Sequence, residues 1–168
     1  VLGDPLDPMT QMGPIVHSEH LTMLRERIDA LVAAGGTVIA PAPLPEVAGN
    51  WLSPTLIDGL DPSQTVDEIF GPVATVHSFR TDDEAVVLAN GTEYGLEAYV
   101  LGADTERAMG VARRIRAGEV KVNGVSPMNL HLMAPRPAFG LSGLAEEGTA
   151  ETIRFFSGNR VVGVEGTV

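Results

Sequence analysis

Asp67-Glu68-Ile69-Phe70-Gly71-Pro72-Val73 lies near the middle of the chain and pairs an acid with a ring two residues away. Where the backbone is extended, side chains two apart point the same way, so Glu68 and Phe70 share a face. Gly71 and Pro72 then end whatever precedes them and restrict how the chain enters the apolar run 73–79. Such a segment offers a carboxylate that accepts hydrogen bonds from hydroxyls, beside a flat apolar wall. A sugar carrying an aromatic ring suits that pair. The same residues also suit a plain helix-to-strand corner with a solvated acid and a core phenylalanine, since most aromatic side chains are core.

Outward from this stretch, helical and strand patterns alternate. Residues 1–16 are rich in Gly, Pro and Asp and read as an extended, turn-rich lead-in. Ser18 is placed to cap a helix with Glu19 in its first turn. Leu21, Leu24, Ile28, Leu31 and Val32 recur at helical spacing, and Gly35-Gly36 ends the run. A short strand over 37–40, a Pro-rich loop over 41–49 and a strand over 51–57, interrupted by Pro54, complete the approach. Downstream, the strand 73–79 leads to a helix capped by Thr81 or Asp82 and closed by Asn90-Gly91. A strand over 98–101, a helix capped by Asp104 or Thr105 and a strand over 119–123 follow. A long irregular stretch, 124–148, precedes a short helix over 150–156 and a last strand over 160–164. Alternation of this kind means an α/β fold, a mostly parallel sheet flanked by helices. The expected organisation is one body over 1–156 and an arm over 157–168, whose unpaired edge needs another subunit.

Composition narrows the function classes. Of 168 residues, 44% are hydrophobic, enough to bury a core. With 22 acidic against 11 basic residues the net charge is −11, which argues against nucleic acid or an anionic membrane as partner. No run approaches the roughly 20 apolar residues of a membrane span. No basic-then-apolar leader opens the sequence, so the expected compartment is the cytoplasm. Cysteine is absent, which excludes disulfides, Cys-based metal sites and a thiol nucleophile within these residues.

Taken in order, the punctuation of the chain resembles the C-terminal part of the NAD(P)-dependent aldehyde dehydrogenases. Gly3-Asp4-Pro5-Leu6-Asp7-Pro8 with Gly13-Pro14 resembles that family's lead-in, and Gly49, Trp51, Pro54 and Thr55 match its Gly-x-aromatic-x-x-Pro-Thr strand. Asp67 to Val73 is similar to its Glu-Glu-Ile-Phe-Gly-Pro-Val signature. Ala89-Asn90 with Tyr94-Gly95-Leu96 matches Ala-Asn-x-x-Tyr-Gly-Leu. Ala117-Gly118 with Val120, Val122 and Asn123 matches Ala-Gly-x-Val-x-Val-Asn. Ser142-Gly143 and Gly148 sit where its Lys-x-Ser-Gly run ends. The resemblance implies that Glu68 hydrogen-bonds a nicotinamide ribose and that Phe70 packs beside the nicotinamide. It also implies that residues 126–139 line an aldehyde entrance and that the final strand is an oligomerisation arm.

By the same resemblance, the nucleophilic cysteine, the general-base glutamate, the oxyanion asparagine and the nucleotide-binding domain all precede the matched region. The chain is therefore expected to be a truncated member, unable on its own to oxidise aldehydes and not expected to bind NAD(P) in isolation. Departures accompany the matches. Pro135-Arg136-Pro137-Ala138-Phe139-Gly140 stands where the family has Pro-Phe-Gly-Gly-x-Lys, and Ala145-Glu146-Glu147 where it has Gly-Arg-Glu. Glu97 replaces a small residue and Lys121 a bulky one.

Glu97 is a candidate acid or base if burial raises its carboxyl toward neutrality, and otherwise a solvated strand-end acid. His131, among Met128, Leu130, Leu132 and Met133, suits either a substrate pocket or a loop packed on another subunit. His17 and His20 share a helical face, a weak metal signal without a third ligand, and no metal site is expected. Three functions remain. The chain is part of an aldehyde dehydrogenase that works with a partner chain carrying the cysteine and dinucleotide fold. Alternatively, it is a repurposed enzyme for a non-redox cyclisation or isomerisation of a small molecule, or a non-catalytic oligomerising module. A homodimer or larger symmetric assembly is expected in each case.

Overall fold

The computed structural model describes residues 1–39, 42–125, 134–144, 146–147 and 149–166, and it divides into two units, Val1–Arg80 and Thr81–Val168. In the first unit, α1 (Ser18–Ala33) leads to β1 (Thr37–Val38), β2 (Thr55–Asp58) and β3 (Val73–Thr75), with a single 3₁₀ turn at Pro62–Gln64. The sheet runs β1-β2-β3, with β1 antiparallel and β3 parallel to β2. Burial alternates along β2, with Thr55 and Ile57 inside and Leu56 and Asp58 outside, as a half-covered strand requires.

Leu21 and Leu24 from α1 meet Leu52, while Leu31 meets Ile57 and Leu60, so the helical spacing read from the sequence becomes the core. Leu24 and Ile57 are fully enclosed. The helix begins one residue earlier than expected. His17, in extended backbone, is the cap, and Ser18 is the first helical residue. A ring nitrogen does the work usually given to a hydroxyl or carboxylate: His17 Nδ1 accepts from the His20 N–H at 3.1 Å.

The second unit contains α2 (Asp82–Ala89), β4 (Tyr94–Gly95), β5 (Glu97–Val100), α3 (Thr105–Ala112) and β6 (Glu119–Val122). It continues with β7 (Arg136–Pro137), β8 (Phe139–Gly140), β9 (Glu146–Glu147) and α4 (Thr149–Phe155). β5 and β6 are parallel through the α3 crossover, with Glu97 opposite Glu119 and Tyr99 opposite Lys121. β4 pairs β8 and β7 pairs β9, both antiparallel. Thr81 and Asp104 cap α2 and α3 through their side-chain oxygens. Arg107 grips Asp82 through both carboxylate oxygens at 2.7–3.1 Å, tying the two helices.

The motif asparagines act as backbone brackets. Asn90 donates to the Arg114 carbonyl at 2.9 Å and accepts from the Arg116 N–H at 2.7 Å. Asn123, at φ +54°, accepts from the Gly102 N–H at 2.9 Å. Gly118 lies so close beneath β7 that a Cβ there would fall 1.5 Å from the Pro137 carbonyl oxygen.

The α/β class is present, but a mostly parallel sheet is met only at β2–β3 and β5–β6; the other three described pairings are antiparallel. β7, β8 and β9 are two-residue strands that pair antiparallel, β8 with β4 and β7 with β9. The stretch expected to be irregular therefore contains three short strands. Residues 157–166 carry neither helix nor strand, and Val161, Val162 and Val164 are exposed. No described strand of the same chain pairs with them. Among the described residues, no helix is long and apolar enough to cross a membrane.

Candidate functional site

The corner 67–73 is held from behind and open in front. Ile69 turns inward and packs against both leucine–isoleucine clusters, while its neighbours Glu68 and Phe70 turn outward. Phe70 is 68% exposed, so it is not the core phenylalanine of the plainer reading. Gly71 lets the backbone close on α1, since a Cβ there would lie 2.6 Å from Leu24 Cδ2. Pro72 hands the chain to the sheet, its carbonyl accepting from the Thr55 N–H at 2.9 Å. Arg27 Nη2 stands 3.4 Å from Asp67 Oδ2, and both help to line a cavity of about 300 Å³ with Leu31, Thr65, Ile69 and Val73.

One contact reaches the exposed ring's own backbone. His20 Nε2 donates to the Phe70 carbonyl at 2.6 Å; a carbonyl only accepts, so that nitrogen carries the proton. His17 and His20 thus serve backbone groups, and among the described residues no cluster of three or more His, Cys, Asp or Glu is arranged to hold a metal ion.

In the second unit the charges go inside. Lys121 is 1% exposed between Glu97, to which its ammonium is hydrogen-bonded, and Glu119 at 3.5 Å. Arg136 of β7 reaches Glu119 Oε2 at 3.2 Å, and the Tyr99 ring centre lies 5.3 Å from Lys121 Nζ. The expectation that burial lifts the Glu97 carboxyl toward neutrality is reversed. The hydrogen bond from Lys121 outweighs desolvation and holds it below the ordinary glutamate range. Desolvation works against the charge on Lys121, but Glu97 and Glu119 prevail and hold the ammonium above its ordinary range.

Glu68 and Phe70 are both exposed on the corner, which is a bend and not a strand, Glu97 has a cation as partner, and His131 lies outside the described residues. Sequence reasoning missed the hold of His20 on Phe70 and the burial of Lys121. Val120-Lys121-Val122 did carry a signal, a cation in an alternating apolar strand, but its partner Glu97 is far away in sequence.

Comparison with known proteins points one way. The family model "Aldehyde dehydrogenase family" matches residues 1–162. Succinate-semialdehyde dehydrogenase [NADP(+)] of Deinococcus radiodurans is 38% identical over 125 residues, covering 73% of this chain and 26% of that protein. Betaine aldehyde dehydrogenase of Cereibacter sphaeroides is 32% identical over 158 residues, covering 93% of this chain and 32% of that protein. The crystal structure of betaine aldehyde dehydrogenase from Staphylococcus aureus in complex with NAD+ superposes with a TM-score of 0.84 at 32% identity. It is matched over 92% of this chain and 32% of its own length, so the chain spans about a third of the relatives it matches.

Proposed function

The chain belongs to the aldehyde dehydrogenase family, and on that premise we propose that it forms the nicotinamide-side wall of an NAD(P)-dependent aldehyde-oxidising unit. Glu68 accepts hydrogen bonds from ribose hydroxyls, and Phe70 lies beside the nicotinamide ring. What supports this is a large aromatic ring left 68% exposed beside a carboxylate, on a corner anchored by Ile69, Gly71 and His20. An exposed ring on an immobilised backbone suits a ligand with an apolar face, because little ordering remains to oppose binding. The residues present fit the cofactor in kind, an acceptor for hydroxyls and a flat apolar surface. When bound, NAD(P) supplies the hydride acceptor. Glu68 and Phe70 orient it and exclude water from one side.

The 168 residues hold no cysteine, so the thiolate that attacks the aldehyde comes, in this reading, from sequence beyond them. That sequence is either the remainder of the same polypeptide or a partner chain, and the isolated 168 residues neither oxidise aldehydes nor retain NAD(P). Glu97 is assigned to its ion pair rather than to proton transfer, because a carboxylate held ionised by Lys121 is a poor general acid near neutral pH. A catalytic part for His131, which lies outside the described residues, belongs to the repurposed, non-redox alternative. The working form is a cytoplasmic homodimer or larger, with residues 157–168 as its arm. The exposed Val161, Val162 and Val164 support a pairing surface there.

The test uses the complete cysteine-bearing enzyme or complex that contains this chain. Glu68→Gln and Phe70→Leu should each raise the KM for the dinucleotide or lower kcat by about 10-fold, on the order of one lost charge-assisted hydrogen bond or apolar contact. Unchanged kinetics in both variants would remove the corner from the cofactor site.

A further inference from the structure

We propose that His20 is a positioning residue for Phe70, and that it is held in place by a cap, His17, which works only while its ring is neutral. This rests on the reading of the corner as the cofactor's wall. The geometry has three linked parts. His20 Nε2 donates to the Phe70 carbonyl at 2.6 Å. The His20 backbone N–H donates to His17 Nδ1 at 3.1 Å, which fixes the first turn of α1. Glu19 Oε2 stands 3.2 Å from the same His17 Nδ1.

That nitrogen has one lone pair, so it cannot serve both neighbours. With its proton on Nε2, a neutral His17 accepts from His20 and caps the helix. Once protonated at Nδ1, the ring becomes a donor, turns to the Glu19 carboxylate and leaves the His20 N–H without its cap. The Glu19 carboxyl is held below its ordinary range, first by a hydrogen bond from its own backbone and then by the Ser18 hydroxyl, so it remains an anion that can accept a hydrogen bond from a protonated Nδ1.

The consequence passes to the corner through His20. Its ring reaches Phe70 from the same first turn that His17 caps, so fraying of that turn loosens the hold on the Phe70 backbone. Protonation of His20 itself acts oppositely, because a charged ring donates more strongly to the same carbonyl. Glu19 on α1 is the charged group in contact with His17, and on the corner that His20 touches, Asp67 and Glu68 precede Phe70, Asp67 being turned to Arg27. Neither ring is deeply buried, and the His17 side chain is 57% exposed, so both meet solvent protons directly.

The measurement is a nuclear magnetic resonance titration of the full chain from about pH 8 to pH 5, where imidazoles change charge. It follows the His17 and His20 ring nitrogens, the His20 amide and the Phe70 carbonyl carbon. The expected result is a Phe70 carbonyl and a His20 amide that both shift with the midpoint of the His17 ring. His17→Asn, which caps without titrating, should abolish that movement. His20→Gln, whose amide still donates, should keep the neutral-pH Phe70 signal near its original position, and His20→Leu should displace it. A Phe70 carbonyl that follows only the His20 ring, or keeps its full profile in His17→Asn, would overturn the cap's part. A Phe70 signal indifferent to His20→Leu, or displaced equally by His20→Gln, would overturn the positioning. Should His20→Leu fail to fold, the His17→Asn and His20→Gln spectra still decide. No cofactor enters the measurement, so its failure removes the histidine hold, while the assignment of Glu68 and Phe70 stands or falls on the kinetics above.

Discussion

Two glutamates, Glu68 and Glu97, sit in segments of similar appearance, each beside an aromatic residue two positions on, and the fold uses them in opposite ways. Around Glu68 the inward residue is Ile69, the anchor, while the acid and the Phe70 ring on either side of it face water. Around Glu97 the charges themselves go inward, and Lys121, Glu119 and Arg136 form the packed layer. An exposed acid on an anchored corner can meet a ligand at little cost. An acid paired with a buried cation is committed to its partner, because desolvating either charge alone is expensive. Chemistry is therefore expected at the first region and rigidity at the second.

The sharpest way to break that contrast is Lys121→Met, which leaves Glu97 and Glu119 facing each other in a nearly dry site. The melting temperature should fall by roughly 10 °C or more, the most of any change considered, by the logic of a half-removed buried pair. Adding Glu97→Gln to the same chain should restore part of that loss. If both single variants melt like the parent, the second region is no more than a solvated face.

Gly71→Ala tests the corner from behind. Its new methyl must displace the enclosed Leu24, so calorimetry or denaturant melts should show a loss of about 1–3 kcal/mol. The pH dependence of Glu97 provides a smaller effect. Its folded value lies below the ordinary value of about 4.5, so its contribution is fully present above that pH. The contribution is lost as the pH falls through the lower, folded value. Subtracting the acid melts of Glu97→Gln from those of the parent should isolate a difference that vanishes below that range. Smallest of all is Phe70→Leu, which should leave stability within about 0.5 kcal/mol, as at other exposed positions. Its effect belongs to the cofactor kinetics, and a large stability loss would move Phe70 from contact surface to scaffold.

The sequence was most legible where physics is local. Thr81 and Asp104 were among the capping residues expected from their types, and the spacing of Leu21, Leu24 and Leu31 marked the buried face of α1. The extended backbone expected at Glu68 and Phe70 is instead a bend, closed by the Gly71 N–H on the Ile69 carbonyl at 2.8 Å, and both side chains are exposed on it. Legibility failed where a partner comes from a distant part of the chain. His17 displaced Ser18 as the cap because a ring nitrogen happened to reach the third N–H, a role composition rules assign to other residues. Lys121 read as an oddity until the parallel register of β5 and β6 brought Glu97 and Glu119 to its side.

The buried cation also limits the routes by which this chain can change over generations. A carboxylate can be lost first, since Lys121 would keep a second acid nearby, and the lysine can follow at modest cost. The reverse order passes through a form with two half-buried acids side by side, Arg136 answering Glu119 and no ammonium left for Glu97. Descendants in which an uncharged residue occupies position 121 should therefore already have changed at position 97 or 119. The layer would be dismantled in one direction only.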